Sequence, residues 1–152
     1  MVGSGKELEL YKEIVKKYDL EKKVTFCGSR YGEELDLLYN KSMLAVECLG
    51  AHRKGLKLSS SLKSREYAAK GLPMITAVDI DVFCDGKYPY IYKFSEDEQP
   101  INIETVIQFY DSIYKDRDCN QIAEEIRTYA QKLCDMEVAM KPVIDVLKND
   151  KK

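Results

Sequence analysis

Residues 62–73 read LKSREYAAKGLP, and this stretch decides the fold that the sequence predicts. A short amphipathic helix ends here at Gly71, and an apolar run follows at once from Pro73 to Val78. A helix that stops at glycine and passes directly into an apolar strand forms the second half of a βαβ unit. Ligands of open α/β sheets bind at the carboxyl ends of strands and at the helix N-termini that follow them. We therefore expect a binding site near the start of this helix.

The segments on either side also alternate between strand and helix patterns. Short apolar runs predict strands at residues 24–27, 43–48, 73–78 and 90–94, and apolar residues at helical spacing lie between most of them. Each predicted strand is apolar throughout, which is typical of a parallel sheet covered by helices on both faces. The fold prediction is an α/β, Rossmann-like domain with a mostly parallel sheet.

The two ends of the chain complete this prediction. The sequence begins directly before the glycine turn at residues 3–5, so we expect the first strand of the sheet to be missing. We predict one domain over residues 1–152, with a Rossmann-like core at 1–95 and, after a polar linker at 95–100, a helical C-terminal tail at 101–150. Asn102 and Asp118 are expected to cap the first two helices of the tail, which we expect to pack over one edge of the sheet. The last helix places these apolar residues on one side: Met136, Ala139, Met140, Val143, Ile144 and Leu147. A missing strand would leave an unpaired sheet edge, which predicts a homodimer formed through that edge.

Composition narrows the functional class. The 152 residues carry 24 basic and 26 acidic side chains, a net charge of −2, so no overall field favours nucleic acid as a partner. The apolar runs are shorter than the roughly 20 residues that span a bilayer, and no signal peptide is recognisable. We expect a cytoplasmic protein without a transmembrane segment, with peripheral membrane attachment of the full-length protein left open. Five cysteines without CxxC spacing predict reduced thiols rather than disulfides or a zinc site.

A basic loop at residues 52–57, HRKGLK, places four basic side chains around Gly55. It lies between a predicted strand end and the serines at 59–61 that cap the next helix. Such a loop would neutralise a strongly anionic ligand, such as a nucleotide diphosphate, and an ordinary solvated loop is the alternative. His52 would contact sugar hydroxyls, or it is structural, and no nucleophile–base pair accompanies it.

The start of the helix offers further ligand groups. Lys63 is within reach of a phosphate, and Ser60 and Ser61 provide hydroxyls and backbone N–H groups at the positive end of the helix. The turn from Gly3 to Gly5 fits neither a Walker A loop nor a dinucleotide fingerprint, so a tight turn is its plainer interpretation.

An acidic loop follows the strand that ends at Val78, and it suggests a divalent metal only at first sight. The spacing of its acids does not fit a calcium-binding loop, so we predict no metal site there. The acids are Asp79, Asp81 and Asp85.

Several segments together resemble the donor-binding half of GT-B-type retaining glycosyltransferases, the large family four. Residues 20–39, LEKKVTFCGSRYGEELDLLY, are similar to the family's short strand and the following helix that ends in Leu-Tyr. The turn at Gly3 is similar to the family's VGxG turn. The basic loop ahead of SSLKSREY at residues 60–67 resembles capsule- and exopolysaccharide-type members. The resemblance covers most of residues 1–78.

The resemblance implies half of a GT-B fold whose N-terminal acceptor domain is missing. It implies transfer of a hexose from a nucleotide-diphosphate sugar to an acceptor in cell-surface or exopolysaccharide synthesis, without a metal or other cofactor. Glu66 would hold the ribose, and the helix start would face the diphosphate. Candidates for stabilising the departing diphosphate are Arg53, Lys54 and Lys63. Candidates for donor contacts are Gly3, Gly5, His52, Gly55, Ser61, Leu62, Lys63 and Glu66.

The sequence departs from the family at one acid. The family has two acids eight positions apart, and Leu58 stands where the first is expected ahead of Glu66. This departure favours the alternative of a non-catalytic nucleotide-sugar-binding or interaction module. A sugar-nucleotide epimerase of GT-B architecture is a further alternative. Whether the chain is an enzyme stays open, and alone it is predicted not to transfer sugar, because a GT-B active site lies between two domains.

Overall fold

A computed structural model describes residues 1–149 of the chain. The chain divides into two compact units, Met1–Lys41 and Ser42–Lys152. No proline or glycine lies at the boundary between residues 41 and 42, so the sequence gives no local signal for it. The expected division into a core at 1–95 and a tail at 101–150 stays a prediction.

The first unit contains two helices and a short extended pair. Helices α1 and α2 span Leu8–Lys17 and Gly32–Tyr39. The ammonium group of Met1 donates to the carbonyl of Thr25 at 2.6 Å, and the Cys27 N–H donates to the carbonyl of Met1 at 2.8 Å. These hydrogen bonds place residues 25–27 beside Met1, but the residues do not form a regular strand, so the strand predicted at residues 24–27 was wrong.

The second unit contains two small parallel sheets. The larger sheet has the order β1-β3-β5, and the smaller sheet pairs β2 with β4. Because parallel neighbours need crossover connections, this topology confirms an α/β fold for the unit. Strands β1 and β5 lie at the edges of the larger sheet, and pairing of a second copy along an edge stays a prediction. The strands are β1 (Ala45–Val46), β2 (Leu58–Ser59), β3 (Met74–Thr76), β4 (Asp79–Ile80) and β5 (Ile91–Lys93).

The observed strands are shorter than the predicted ones. Residues 43–48 and 73–78 were expected to be strands, and only the central two or three residues of each are regular. The two-residue pair of β2 and β4 was not predicted, since neither segment is an apolar run. The central strand β3 is buried throughout, as expected of a strand covered on both faces.

Four α-helices complete the second unit, and three of them start at the predicted caps. The Asn102 side chain accepts from the Glu104 N–H at 2.9 Å, and the Asp118 side chain accepts from the Gln121 N–H at 2.9 Å. Ser61 caps the helix of the opening motif. The helices are α3 (Leu62–Ala69), α4 (Ile103–Tyr114), α5 (Cys119–Cys134) and α6 (Met136–Asn149).

Gly71 ends α3 as predicted, and it also sets how closely α5 approaches. Its φ is +78°, in the left-handed region, and a Cβ atom there would lie 2.7 Å from the Cβ of Ala123 and 2.8 Å from the Ala123 carbonyl oxygen. Helices α3 and α5 therefore meet at a position that only glycine fits without strain.

Helix α6 differs from the sequence prediction. Its apolar residues were expected to pack inward over a sheet edge, but none of its described residues is buried. Burial depends on a neighbouring surface, which helical spacing alone does not reveal. The exposed positions of the predicted face are Met136, Ala139, Met140, Val143, Ile144 and Leu147. Across residues 1–149, every helix is too short or too polar to cross a membrane.

Candidate functional site

The carboxyl ends of β1, β3 and β5 meet at one edge of the larger sheet, and a cavity of about 450 Å³ opens there. Its volume falls in the range of small-molecule sites. Its position follows from the topology, because parallel strands all end at the same edge. The residues that follow the strands and line the cavity include Leu49, Gly50, Ala77, Phe94 and Ser95.

The basic loop contributes one wall of this cavity. Residues Ala51–Lys54 form a 3-10 helix that ends at Gly55, whose φ of +66° is left-handed. This turn places His52 and Arg53 on the cavity wall. Lys54 and Gly55 do not line it, and both are exposed. The structure thus brings together two of the four predicted residues of the loop.

Glu98 pairs with both of these cavity residues. Nε2 of His52 lies 2.7 Å from Oε1 of Glu98, and Nε of Arg53 donates to the same oxygen at 2.8 Å. Arg53 Nη2 contacts the second carboxylate oxygen. The hydrogen bonds from Arg53 and then His52 lower the pKa of Glu98 to about 2. The positive charge of Arg53 on this wall is therefore neutralised by an acid from the predicted polar linker at residues 95–100.

A second acid of the same segment holds two lysines. Glu96 Oε2 lies 2.7 Å from Lys57 Nζ, and its Oε1 lies 3.0 Å from Lys93 Nζ. Hydrogen bonds from Lys57 and Lys93 lower the pKa of Glu96 to about 2. Hydrogen bonds to Glu96 and Asp79 raise the pKa of Lys93. We call residues 95–99, SEDEQ, the acidic strap.

The start of α3 faces a carboxylate of the chain itself. Ser61 caps the helix and donates to Oε1 of Glu47 at 2.6 Å, and Lys63 Nζ lies 3.1 Å from Oε2 of Glu47. The Glu47 side chain is only 1% exposed. A phosphate at this helix end would therefore meet a buried negative charge. Glu47 was not predicted as a site residue, although an acid inside the apolar run at residues 43–48 was a signal for it.

Glu66 lies elsewhere on the same helix. It lines an open groove between α3 and α5, together with Arg127 and Gln131, and it does not line the cavity at the strand ends. The predicted ribose ligand and the predicted diphosphate ligands thus lie on different surfaces of one unit.

The remaining predicted residues are not brought to the cavity. Leu62 is 81% exposed, and Leu58, at the place of the family's first acid, is exposed in β2. Gly3 and Gly5 belong to the first unit, where they line a pocket with Phe26. Gly3 has a φ of +123°, which a glycine turn allows.

No metal cluster is apparent in the described part of the chain. Residues 1–149 contain no group of three or more His, Cys, Asp or Glu side chains arranged to hold a metal ion. The expectation that neither a metal nor another cofactor is needed stays a prediction.

Comparison with known proteins adds no family assignment. No protein-family model matches the chain, and no curated protein matches it. The function proposed below therefore depends on the chemistry of the site itself.

Proposed function

We propose that the second unit binds a nucleotide-diphosphate sugar, as the donor-binding, Rossmann-like domain of a GT-B-type glycosyltransferase acting in cell-surface or exopolysaccharide synthesis. One observation carries this proposal. The cavity at the carboxyl ends of three parallel strands has His52 and Arg53 in its wall. A cavity in this position, with cationic groups, is where open α/β sheets take anionic ligands.

The diphosphate would lie against three side chains of this cavity. Arg53 presents a planar fork of donors that suits phosphate oxygens, His52 supplies a ring N–H, and Lys93 supplies an ammonium group. Positive charge at this point would also stabilise the departing diphosphate when the sugar is transferred. In this proposal Arg53 is the main contact, and Lys54 is too far outside the wall to share it.

Glu66 and Lys63 also have proposed roles, although neither lines the cavity. Glu66 would hold the ribose only if the nucleoside reaches from the cavity to the groove between α3 and α5. Lys63 would contact phosphate while Glu47 holds its ammonium group. The proposal depends less on these residues than on Arg53, because they do not line the cavity.

The test is calorimetric titration of the full chain with UDP, GDP and ADP. We expect saturable binding of at least one of them, and Arg53→Gln weakens it by about tenfold or more, as loss of a charge-assisted pair predicts. Arg30→Gln is the matched control, since Arg30 is an exposed arginine of the first unit. Absence of binding for all three nucleotides would overturn the proposal.

A second candidate function is a non-catalytic nucleotide-sugar-binding module. Leu58 favours it, since an exposed leucine stands at the position of the family's first acid. The two candidates share the binding step and differ in turnover. Release of nucleotide from a nucleotide sugar distinguishes them when the chain is assayed together with an acceptor domain. The chain alone is predicted not to transfer sugar, and only the enzyme breaks the bond between the sugar and the diphosphate.

A further inference from the structure

We propose that Glu98 is an intramolecular competitor for the anion site, and that a bound diphosphate displaces it from His52 and Arg53. The acidic strap would then keep the site closed until a strongly anionic ligand binds. This inference rests on the proposed function, because it concerns regulation of the same site.

The contacts of Glu98 are those that a phosphate group would make. One carboxylate oxygen accepts from both His52 and Arg53, and the other oxygen contacts the same guanidinium group. Arginine binds carboxylate and phosphate with the same fork of donors. Glu98 therefore occupies the place that the proposal gives to the ligand.

The two sides of this pair differ in how firmly they are held. The His52 side chain is only 16% exposed, whereas those of Glu98 and Arg53 are 59% and 68% exposed. Exposed ion pairs contribute little stability, so an ion of higher charge can replace the exposed partner. The histidine side of the pair is preformed, and the glutamate side is exchangeable.

The acidic strap is held on both sides of Glu98. Glu96 is 18% exposed and bridges Lys57 and Lys93, so it anchors the start of the strap. Beyond the strap, Pro100 restricts the backbone and Asn102 caps α4. Glu98 lies between these fixed points, so it can leave His52 and Arg53 without separating the strap from the unit.

This arrangement discriminates among anions by charge. A singly charged anion replaces Glu98 with little gain, because it exchanges one ion pair for another. A diphosphate carries more charge and more acceptor oxygens, so it competes better against the same carboxylate. The strap would therefore raise the selectivity of the site while lowering its absolute affinity.

The test uses inorganic pyrophosphate as the probe, with UDP, GDP and ADP alongside, on the full chain. We expect Glu98→Gln to bind pyrophosphate about fivefold more tightly than the unaltered protein, which is the upper range for loss of an exposed competing ion pair. Asp97→Asn is the matched control. Asp97 lines the same cavity and belongs to the same strap, but it forms no ion pair among residues 1–149.

The outcomes separate this inference from the proposed function. If nucleotides bind but Glu98→Gln shows no gain over Asp97→Asn, the competitor role is wrong and the proposed function stands. If Glu98→Gln binds pyrophosphate more tightly than the unaltered protein but none of UDP, GDP and ADP binds, the competitor role stands and the nucleotide function fails. If neither the unaltered protein nor Glu98→Gln binds pyrophosphate, the inference is overturned. Glu98→Ala is a second variant, and thermal melting confirms that each variant is folded.

Discussion

The Oγ atom of Ser61 lies 2.6 Å from Oε1 of Glu47, so helix α3 begins against a buried carboxylate. The helix N-terminus carries partial positive charge, and Glu47 supplies the negative charge that such an end attracts. Lys63 adds a full charge on the other carboxylate oxygen. The start of α3 is therefore already neutralised by Glu47, a residue that the sequence pattern placed inside a predicted apolar strand.

Glu47→Ala should destabilise the second unit. Ser61 and Lys63 would lose their partner at a buried position, which predicts a loss of about 1–3 kcal/mol in the free energy of unfolding. Urea denaturation measures this loss. Glu104→Ala is the control, since Glu104 lies in the first turn of α4 at an exposed position. Equal stability of the two variants would contradict a structural role for Glu47.

Gly71→Ala should destabilise the packing of α3 on α5. The new methyl group would lie 2.7 Å from the Cβ of Ala123, and the residue would keep a left-handed φ. We expect a loss of about 2–4 kcal/mol, since overpacking adds to a backbone strain of about 1–2 kcal/mol. Gly86→Ala separates the two effects, because Gly86 has a φ of +73° and nothing within 4 Å of an added Cβ. A similar loss in both variants would mean that the close approach does not matter.

Glu66→Gln should weaken binding of a nucleoside diphosphate by about tenfold and leave pyrophosphate binding unchanged. The reason is that Glu66 is proposed to accept hydrogen bonds from ribose hydroxyls, which pyrophosphate lacks. Calorimetry with both ligands measures the difference. Glu104→Gln on α4 is the control, since Glu104 is exposed and does not line the groove between α3 and α5. Unchanged nucleotide affinity in Glu66→Gln would remove Glu66 from the site.

Acid should open the acidic strap. The pKa of Glu98 is about 2 in the folded protein, below its ordinary value of 4.5, so its ion pairs stabilise the folded state above pH 4.5. That contribution is lost as the pH falls from 4.5 towards 2. We expect the unaltered protein to melt at a higher temperature than Glu98→Gln at pH 6, and the gap to close near pH 2. A gap that does not change with pH would contradict the ion pairs.

The sequence determined the local features of this protein. Asn102 and Asp118 start their helices, and Gly71 ends α3, because caps and glycine turns depend on neighbouring residues. The three strands of the larger sheet and helix α3 were also predicted for the second unit, since apolar spacing reflects which segments are buried, whereas β2 and β4 were not. The basic loop was recognised as a cluster, and two of its side chains do line the cavity.

Only the tertiary structure decided which charges meet. Glu98 is 46 residues from His52 in sequence, and Glu47 is 14 residues from Ser61, so neither pair follows from a local pattern. The exposure of the apolar residues of α6 was also not predictable from the sequence. Helical periodicity reveals an apolar face but not the surface that would cover it. Glu66 likewise lies on the predicted helix, yet its direction towards α5 depends on how the two helices pack. Local sequence sets the elements, and the long-range folding of the chain sets their partners.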